Sequence, residues 1–273
     1  MREGYWVIRT YESGNVGEKT KYFVPGKRPD KKIRRQDSRE ASRQEKSSTS
    51  ATKQLARLLN ENFPAGSAAY LIGLDYSPAG LEKITAWAKS QGLLMDTEEE
   101  ERNTMLDAAD HEMVNAIRRA KRKLPEGVEL RAAYISSDMD GETGELVRVH
   151  HHMVINAEAL PALQKAWAEC GMGTVDFETL WDHQLDRTPL AEYWMKQVRK
   201  RPDAKKYRST RNLIRPEPKD KIALSEAELR TPKGCELLFR QEFRKGGDQY
   251  IRYTLPKEKR EKKAEKRGRV RKC

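Results

Sequence analysis

The sequence predicts an α+β fold with a central antiparallel sheet and helices on its faces. Short segments rich in strand-forming residues alternate with segments of helical periodicity. Residues 138–144 are rich in turn residues and join two of the strand segments as a hairpin loop, which requires antiparallel pairing. The 273 residues, of which 37% are hydrophobic, suffice for one sizeable core.

The elements follow from local patterns. Residues 5–11 and 19–24 predict two strands around a turn, and residues 69–76 predict a fully buried central strand. Pro78 favours the start of a helix that runs to Ser90, and an acidic segment opens a second helix over residues 96–123. The remaining predicted elements are a strand at 129–137, a strand at 147–156, a helix at 157–169, a strand at 174–178, a helix at 189–200, and closing strands at 235–243 and 249–253.

The predicted organisation has four parts. Residues 1–26 supply N-terminal strands that join the core, and residues 58–255 form the main domain. Residues 27–57 contain 11 Lys and Arg residues against 4 acidic ones, which fits a basic helix, a mobile basic segment that touches phosphates, or a solvated linker. Residues 256–273 predict a disordered basic tail.

Charge and composition indicate the class of partner. The formal net charge of +12 favours a polyanion, and nucleic acid is the first expectation. The three cysteines have no CxxC spacing, which argues against a disulfide framework and a cysteine zinc site. We find no apolar signal region and no segment long enough to cross a membrane, so we expect a cytoplasmic protein.

Three of the five histidines lie together in the strand at 147–156. Because alternate side chains of a strand share a face, His150 and His152 are expected on one face and His151 on the other. Two imidazoles on one face of a rigid strand can act as a pair of metal ligands. The alternative is a solvated polar strand end.

The helix at 189–200 contains Tyr193 and Lys196, which are three residues apart and therefore neighbours on one helix face. A phenol is a poor nucleophile at neutral pH because its ordinary pKa is about 10. A nearby ammonium group favours the phenolate, or offsets charge that develops on it. A Y-x-x-K pair alone indicates little, so the prediction rests on its order after the buried strand and the histidine pair.

That ordered set resembles the single-tyrosine rolling-circle replication initiators of the HUH endonuclease superfamily. Residues 70–76 look like the apolar first motif of that family, residues 150–156 are similar to its histidine motif, and residues 193–196 resemble its nucleophile motif. Residues 207–213 resemble an S-R-N-L segment of related replication proteins. The resemblance covers roughly residues 60–255 and implies an RRM-like core. No GxxxxGK[ST] motif occurs, so we expect no helicase domain.

The resemblance implies metal-assisted DNA nicking. His150 and His152 would bind Mn²⁺ or Mg²⁺, with Asp138 as third ligand or Glu192 as the alternative, although Glu192 points about 100° away from Tyr193 around the helix. Tyr193 would attack a DNA phosphate, giving a 5′-phosphotyrosyl enzyme and a free 3′-OH. Lys196 would hold the phosphate or offset charge on the phenolate.

Further expectations concern DNA and other partners. The basic segments would contact the DNA backbone, and the single-strand path would be lined by Tyr207, Arg208, Arg211 and Asn212. For Arg211, a structural ion pair is an equal alternative. The substrate would be single-stranded or supercoiled origin DNA of a bacterial plasmid, phage or integrative element, with a host helicase and polymerase as partners.

Two other functions compete with replication initiation. A conjugative relaxase or a small transposase would use the same fold, although the absence of a second tyrosine on the nucleophile helix disfavours two-tyrosine enzymes. A non-catalytic nucleic-acid-binding protein would keep the charge but use the histidines structurally. The non-catalytic protein would be identified by nucleic-acid binding that is insensitive to chelators and by absence of cleavage with Mn²⁺.

Overall fold

A computed structural model describes residues 3–27, 43–93, 96–180, 183–199, 201, 204–223, 228–243 and 247–270, with backbone alone at 43–49 and 266–270. The described strands are β1 (Gly4–Ser13), β2 (Val16–Pro25), β3 (Ala69–Tyr76), β4 (Ala132–Met139), β5 (Leu146–Asn156), β6 (Gly173–Thr179), β7 (Arg208–Ser209), β8 (Lys219–Ile222), β9 (Leu237–Glu242) and β10 (Gln249–Thr254). The described helices are α1 (Arg43–Asn62), α2 (Pro78–Ser90), α3 (Glu98–Lys121), α4 (Leu160–Glu169), α5 (Thr188–Gln197) and α6 (Lys257–Val270).

The central sheet is antiparallel throughout, with strand order β6-β3-β5-β4-β7. The predicted α+β class and the antiparallel hairpin of β4 and β5 are confirmed. The helix predicted from Pro78 to Ser90 has those bounds, and its N-cap is Ser77, whose hydroxyl accepts a hydrogen bond from the Gly80 amide.

Side-chain alternation gives this sheet two buried faces. On one face, the even-numbered β3 residues Ile72 and Leu74 pack with Met153 of β5 against α2, α3 and α4. On the other face, Ala133 of β4 and Val154 of β5 pack against α1 and α5. The central sheet is therefore covered by helices on both sides, and each β5 side chain is assigned to a face by its position in the strand.

The N-terminal strands form a second sheet, distinct from the central one. The order of this antiparallel sheet is β8-β1-β2-β10-β9. The sequence identified the local hairpin of β1 and β2 correctly, but the choice of outer partners is made by distant strands. Strands β8, β9 and β10 belong to this second sheet, although they lie within residues 58–255, the predicted main domain. That range therefore contains strands of both sheets.

Helix α1 links the two sheets through buried polar contacts. The Arg57 guanidinium lies 2.7 Å from the Glu18 carboxylate of β2, and both side chains are largely buried. The Tyr250 hydroxyl of β10 donates to the same carboxylate at 3.1 Å, and the Gly14 amide donates to Glu61 of α1 at 2.7 Å. These contacts fix the second sheet against the helix that covers the central one.

Two basic segments differ from a simple tail or linker. The backbone over 257–270 is helical, which fits its many Lys, Arg, Glu and Ala residues, since these are strong helix formers. Helix α1 begins inside the basic segment of 27–57 and continues past its end, while residues 28–42 lie outside the described residues. None of the described helices is long and apolar enough to cross a bilayer.

The buried Glu18–Arg57 pair yields a stability prediction. Replacing Glu18 with Leu leaves the Arg57 guanidinium and the Tyr250 hydroxyl buried without their acceptor. We expect the free energy of unfolding to fall by about 3 kcal/mol or more, measured by urea denaturation. As the control, Glu228→Leu removes an exposed partner of Arg240 and should cost less than about 1 kcal/mol. Equal losses in the two variants would contradict the bridging role of α1.

Candidate active site

The β5 histidines lie on the faces that strand alternation predicts. His150 and His152 are on the face that α5 covers, and the ring of His152 lies near the Tyr193 ring, with 6.4 Å between centroids. His151 points to the opposite face and is fully buried against the α3 and α4 side. The predicted pair is therefore brought together beside the predicted nucleophile, and the middle histidine is removed from it.

The two imidazoles converge through their Nε2 atoms, which lie 3.2 Å apart. The Nδ1 of His150 lies 3.0 Å from the backbone carbonyl of Arg148, an acceptor that places the proton on Nδ1 and leaves the Nε2 lone pair facing the site. The Nε2 of His152 lies 2.8 Å from the amide oxygen Oε1 of Gln197, a buried residue at the end of α5. Burial, followed by the charge of His150, lowers the pKa of His152 to about 4.

Two of the separations among these three atoms match the spacing of ligands on a divalent cation. Two ligands at right angles on an ion with bonds of about 2.1 Å stand about 3.0 Å apart. The observed separations of 3.2 Å between the imidazole nitrogens and 2.8 Å between His152 and Gln197 match that spacing. Because the low pKa of His152 keeps its imidazole neutral at pH 7, this residue can bind a metal without first losing a charge.

The neighbouring strand β3 provides space and a carboxylate on the same face. Gly73 lies directly across from His152, and a Cβ built at Gly73 meets no atom within 4 Å. Asp75 lies across from His150 and is exposed. Side chains in such antiparallel pairs are close neighbours. Asp75 therefore lies on the same face as the imidazole pair.

Tyr193 is 41% exposed, so its phenol is accessible from solvent. Its ring is held on one side by the hairpin between β4 and β5, because a Cβ built at Gly141 would lie 2.8 Å from Tyr193 ring atoms and 2.7 Å from the Gln197 amide nitrogen. Only glycine permits this approach without a shift. Lys196 is exposed one helical turn from Tyr193, as the sequence predicts.

An apolar cavity of about 310 Å³ adjoins Tyr193 on the side of β3 and β6. Its walls include Leu71, Pro189 and Leu190, and Glu178 lies among the lining residues. The cavity size falls at the lower end of the range for small-ligand pockets. The phenol thus lies between a polar cluster on one side and an apolar cavity on the other.

His151 takes part in a buried polar network behind the site. The Ser136 hydroxyl donates to the Asp110 carboxylate at 2.6 Å, so the nearby Nδ1–H of His151, 2.9 Å away, donates to the Ser136 oxygen. The Nε2 of His151 then accepts from the Tyr76 hydroxyl at 2.8 Å. Arg208 completes the network by pairing with Asp110 at 2.8 Å. His151 thereby connects β3, β4 and β5 from within the core.

The structure does not bring Asp138 to the histidine pair, which corrects the predicted third ligand. Its carboxylate lies 3.2 Å from each of two guanidinium groups, those of Arg102 and Arg199. Ser136 faces His151 and α3, and alternation along β4 places Asp138 on that same face, away from the histidine pair. Glu192 is exposed on α5, and no group of three or more His, Cys, Asp or Glu in the described residues could hold a metal.

Of the four residues predicted to contact DNA, two are held by other residues of the protein, and two line a cavity or are exposed to solvent. Arg208 is engaged by Asp110, and the Asn212 amide donates to Glu129 and to the Leu130 carbonyl, so both have structural partners. Tyr207 lines two adjoining cavities, and Arg211 is exposed.

Gln197, Asp75 and Gly141 were missed by the sequence reasoning. Gln197 follows Tyr193 by four residues, which is a helix-face signal that could have been used. Asp75 could have been found by aligning β3 antiparallel to the histidine strand, whereas nothing in the sequence around Gly141 reveals its contact with Tyr193.

Comparisons of the chain with protein-family models, curated proteins and solved structures find no match. The resemblance to rolling-circle initiators therefore stays a prediction carried by the motifs.

The geometry predicts which oxygen ligand matters for metal binding. Gln197→Leu removes the oxygen beside His152, so we expect Mn²⁺ affinity, measured by titration calorimetry, to fall about tenfold or more. Asp138→Asn, which keeps the shape of the residue, should bind Mn²⁺ like the parent protein. A larger loss in Asp138→Asn than in Gln197→Leu would restore Asp138 as the ligand.

Burial of His151 predicts a dependence of stability on pH. Burial, followed by the charges of His150 and His152, lowers the pKa of His151 to about 3, whereas the unfolded chain has a value of about 6.5. The unfolded state therefore binds more protons below about pH 6.5, and stability is lost as the pH falls towards the folded value.

As the pH falls from about 6 to about 4, we expect the protonation linked to His151 to lower the free energy of unfolding by up to about 1.4 kcal/mol per pH unit. The variant His151→Gln should be less stable at pH 7 but should show a shallower slope over this window in urea denaturation. Parallel slopes for parent and variant would refute the buried neutral histidine.

Proposed function

We propose that this protein nicks and rejoins single-stranded DNA through Tyr193, as a replication initiator similar to the rolling-circle family. One observation carries the proposal. An accessible phenol lies beside two imidazoles whose Nε2 atoms converge with the Gln197 oxygen. A nucleophile next to a site that fits a divalent cation is the arrangement that phosphoryl transfer requires.

In the proposed reaction, the oxygen of Tyr193 forms a bond to a DNA phosphorus and the P–O3′ bond breaks. The phenol loses its proton to solvent, and the departing 3′ oxygen gains one, which leaves a 5′-phosphotyrosyl link and a free 3′-OH. A bound Mn²⁺ or Mg²⁺ would supply Lewis-acid polarisation of the phosphate. Reversal of the same two bond changes, with a 3′-OH as the attacking group, rejoins the strand.

The protein's own residues have distinct tasks in this reaction. His150, His152 and Gln197 would hold the cation, and Asp75 would add negative charge on the same face. Lys196, one turn from Tyr193, offsets the charge of the phenolate or of the phosphate oxygens. Gly141 keeps the hairpin close to the Tyr193 ring, which limits the orientations of the phenol.

The class of substrate follows from charge and from the exposed nucleophile. The net charge of +12 favours a polyanion, and a tyrosine that attacks in line needs a phosphate it can approach freely. The apolar cavity beside Tyr193 is able to accept an unstacked base next to the cleaved phosphate. Single-stranded origin DNA meets these requirements, and a host helicase and polymerase would act with the enzyme.

A conjugative relaxase or a small transposase is the second candidate, since both would use the same chemistry. Helix α5 carries one tyrosine, so each chain forms one covalent link at a time, which favours the initiator over two-tyrosine enzymes. A non-catalytic nucleic-acid-binding protein would bind DNA equally with or without a chelator and would form no covalent adduct.

The proposal predicts the behaviour of Tyr193→Phe. Loss of one oxygen should abolish formation of a covalent adduct with single-stranded DNA and Mn²⁺, seen as a shifted band on a denaturing gel, while DNA binding persists. The matched control is Tyr70→Phe, which removes the same atom from a ring that packs against Phe177. That control should form adducts like the parent protein.

Two results would refute the assignment of the nucleophile. Undiminished adduct formation by Tyr193→Phe would show that another residue is the nucleophile. Absence of adducts from the parent protein with plasmid- and phage-derived origin strands, in either Mn²⁺ or Mg²⁺, would favour the non-catalytic alternative.

A further inference from the structure

Two adjoining cavities of about 630 Å³ and 650 Å³ lie between the second sheet, helix α1 and the segment around β7. They form one continuous surface, the basic groove, because both are lined by Ser50, Gln54, Tyr207 and Arg215. The apolar cavity at Tyr193 shares no lining residue with it. The basic groove is therefore a separate feature from the candidate active site.

The charge of the groove has one sign. None of the described residues that line these two cavities is acidic, although the chain contains 42 Asp and Glu residues. A small neighbouring cavity shares Lys205, Lys206 and Tyr207 and is lined by one acid, Asp110, which is paired with Arg208. Lys205, Lys206 and Arg215 contribute cations that form no ion pair with an acid in the described part of the chain. Such a surface attracts phosphates and releases their counterions on binding.

Two further arginines of the groove are fixed in place. Arg9 makes a two-pronged contact with Asp220 at 2.8 and 2.7 Å, and Arg57 is held by Glu18. Each guanidinium also lies over a tyrosine ring, Arg57 over Tyr11 at 3.5 Å and Arg9 over Tyr22 at 5.5 Å. Arginine–tyrosine stacks of this kind are rigid platforms for the flat faces of nucleobases.

Tyr207 lies where the two cavities meet. Its ring is half-buried and packs against the cluster that α1 and α5 form on the central sheet. Bases stack on aromatic rings with little dependence on sequence, and cationic grooves with such rings are typical of single-strand binding. A base-paired duplex hides the base faces, so it could use the cations but not the tyrosines.

We propose that the basic groove binds single-stranded nucleic acid, with Lys205, Lys206 and Arg215 on its phosphates and Tyr207 on a base. The groove would hold a strand away from Tyr193 and position the flanking part of the substrate. The inference rests on the proposed function only for the source of the strand, because binding in the groove needs neither metal nor nucleophile.

The test measures the affinity for single-stranded DNA under conditions in which no metal-assisted cleavage can occur. Full-length protein is titrated with a fluorescent single-stranded DNA of mixed sequence in EDTA, and anisotropy is followed at several salt concentrations. Lys205→Glu with Lys206→Glu should weaken binding about tenfold or more and reduce the slope of log affinity against log salt by roughly 1.4. Tyr207→Leu, which keeps apolar packing, should weaken binding about fivefold with the slope unchanged.

The control variant carries the same change in charge elsewhere. Lys89→Glu with Lys165→Glu alters exposed residues of α2 and α4 on the opposite side of the central sheet. Its affinity should stay within about twofold of the parent protein. Equal weakening in both double variants, parent-like affinity of the Lys205 and Lys206 variant, or tighter binding of duplex than of single strand would overturn the groove as a single-strand site.

The outcome separates this inference from the proposed function. Groove-dependent binding without any covalent adduct would retain the groove and refute nicking by Tyr193. Adduct formation combined with parent-like affinity of the Lys205 and Lys206 variant would retain nicking and refute the groove.

Discussion

The alternation of side chains along β5, in a register fixed by β3 and β4, is the constraint on which the candidate site depends. A slip of one residue would send His151 to the α5 face and bury the other two histidines. The contacts of His151 with Tyr76 and Ser136 oppose such a slip, because each donor and acceptor in the core would lose its partner. The buried histidine thus specifies the position of His150 and His152 on the other face.

Local patterns in the sequence were enough to locate this pair but not to complete the site. Alternation is a property of one strand, so His150 and His152 could be assigned to one face from residues 147–156 alone. The position of Gln197 depends on how α5 packs on the sheet, which is a contact between distant parts of the chain. Asp138 lies near the end of the neighbouring strand, but alternation along β4 puts it on the face of Ser136 and His151, away from the pair.

The contrast between local and long-range contacts also explains which parts of the fold could be predicted from the sequence. The bounds of α2 and the hairpin of β4 and β5 depend on neighbours in sequence, and both were predicted. The second sheet depends on strands separated by about two hundred residues, and no local pattern specifies that pairing. Its attachment through Glu18 and Arg57 is equally non-local, yet this attachment creates one wall of the basic groove. Long-range packing therefore sets both the position of Gln197 beside the histidines and the proposed strand path.

The central claim is that the Tyr193 oxygen becomes bonded to DNA. The most direct measurement is mass spectrometry of the adduct after nuclease and trypsin digestion, because trypsin should release residues 188–196 as a peptide with a single tyrosine. We expect this peptide to carry a nucleotide through its 5′ phosphate and fragmentation to locate the added mass on Tyr193. A nucleotide attached to any other residue, with this peptide unmodified, would contradict it.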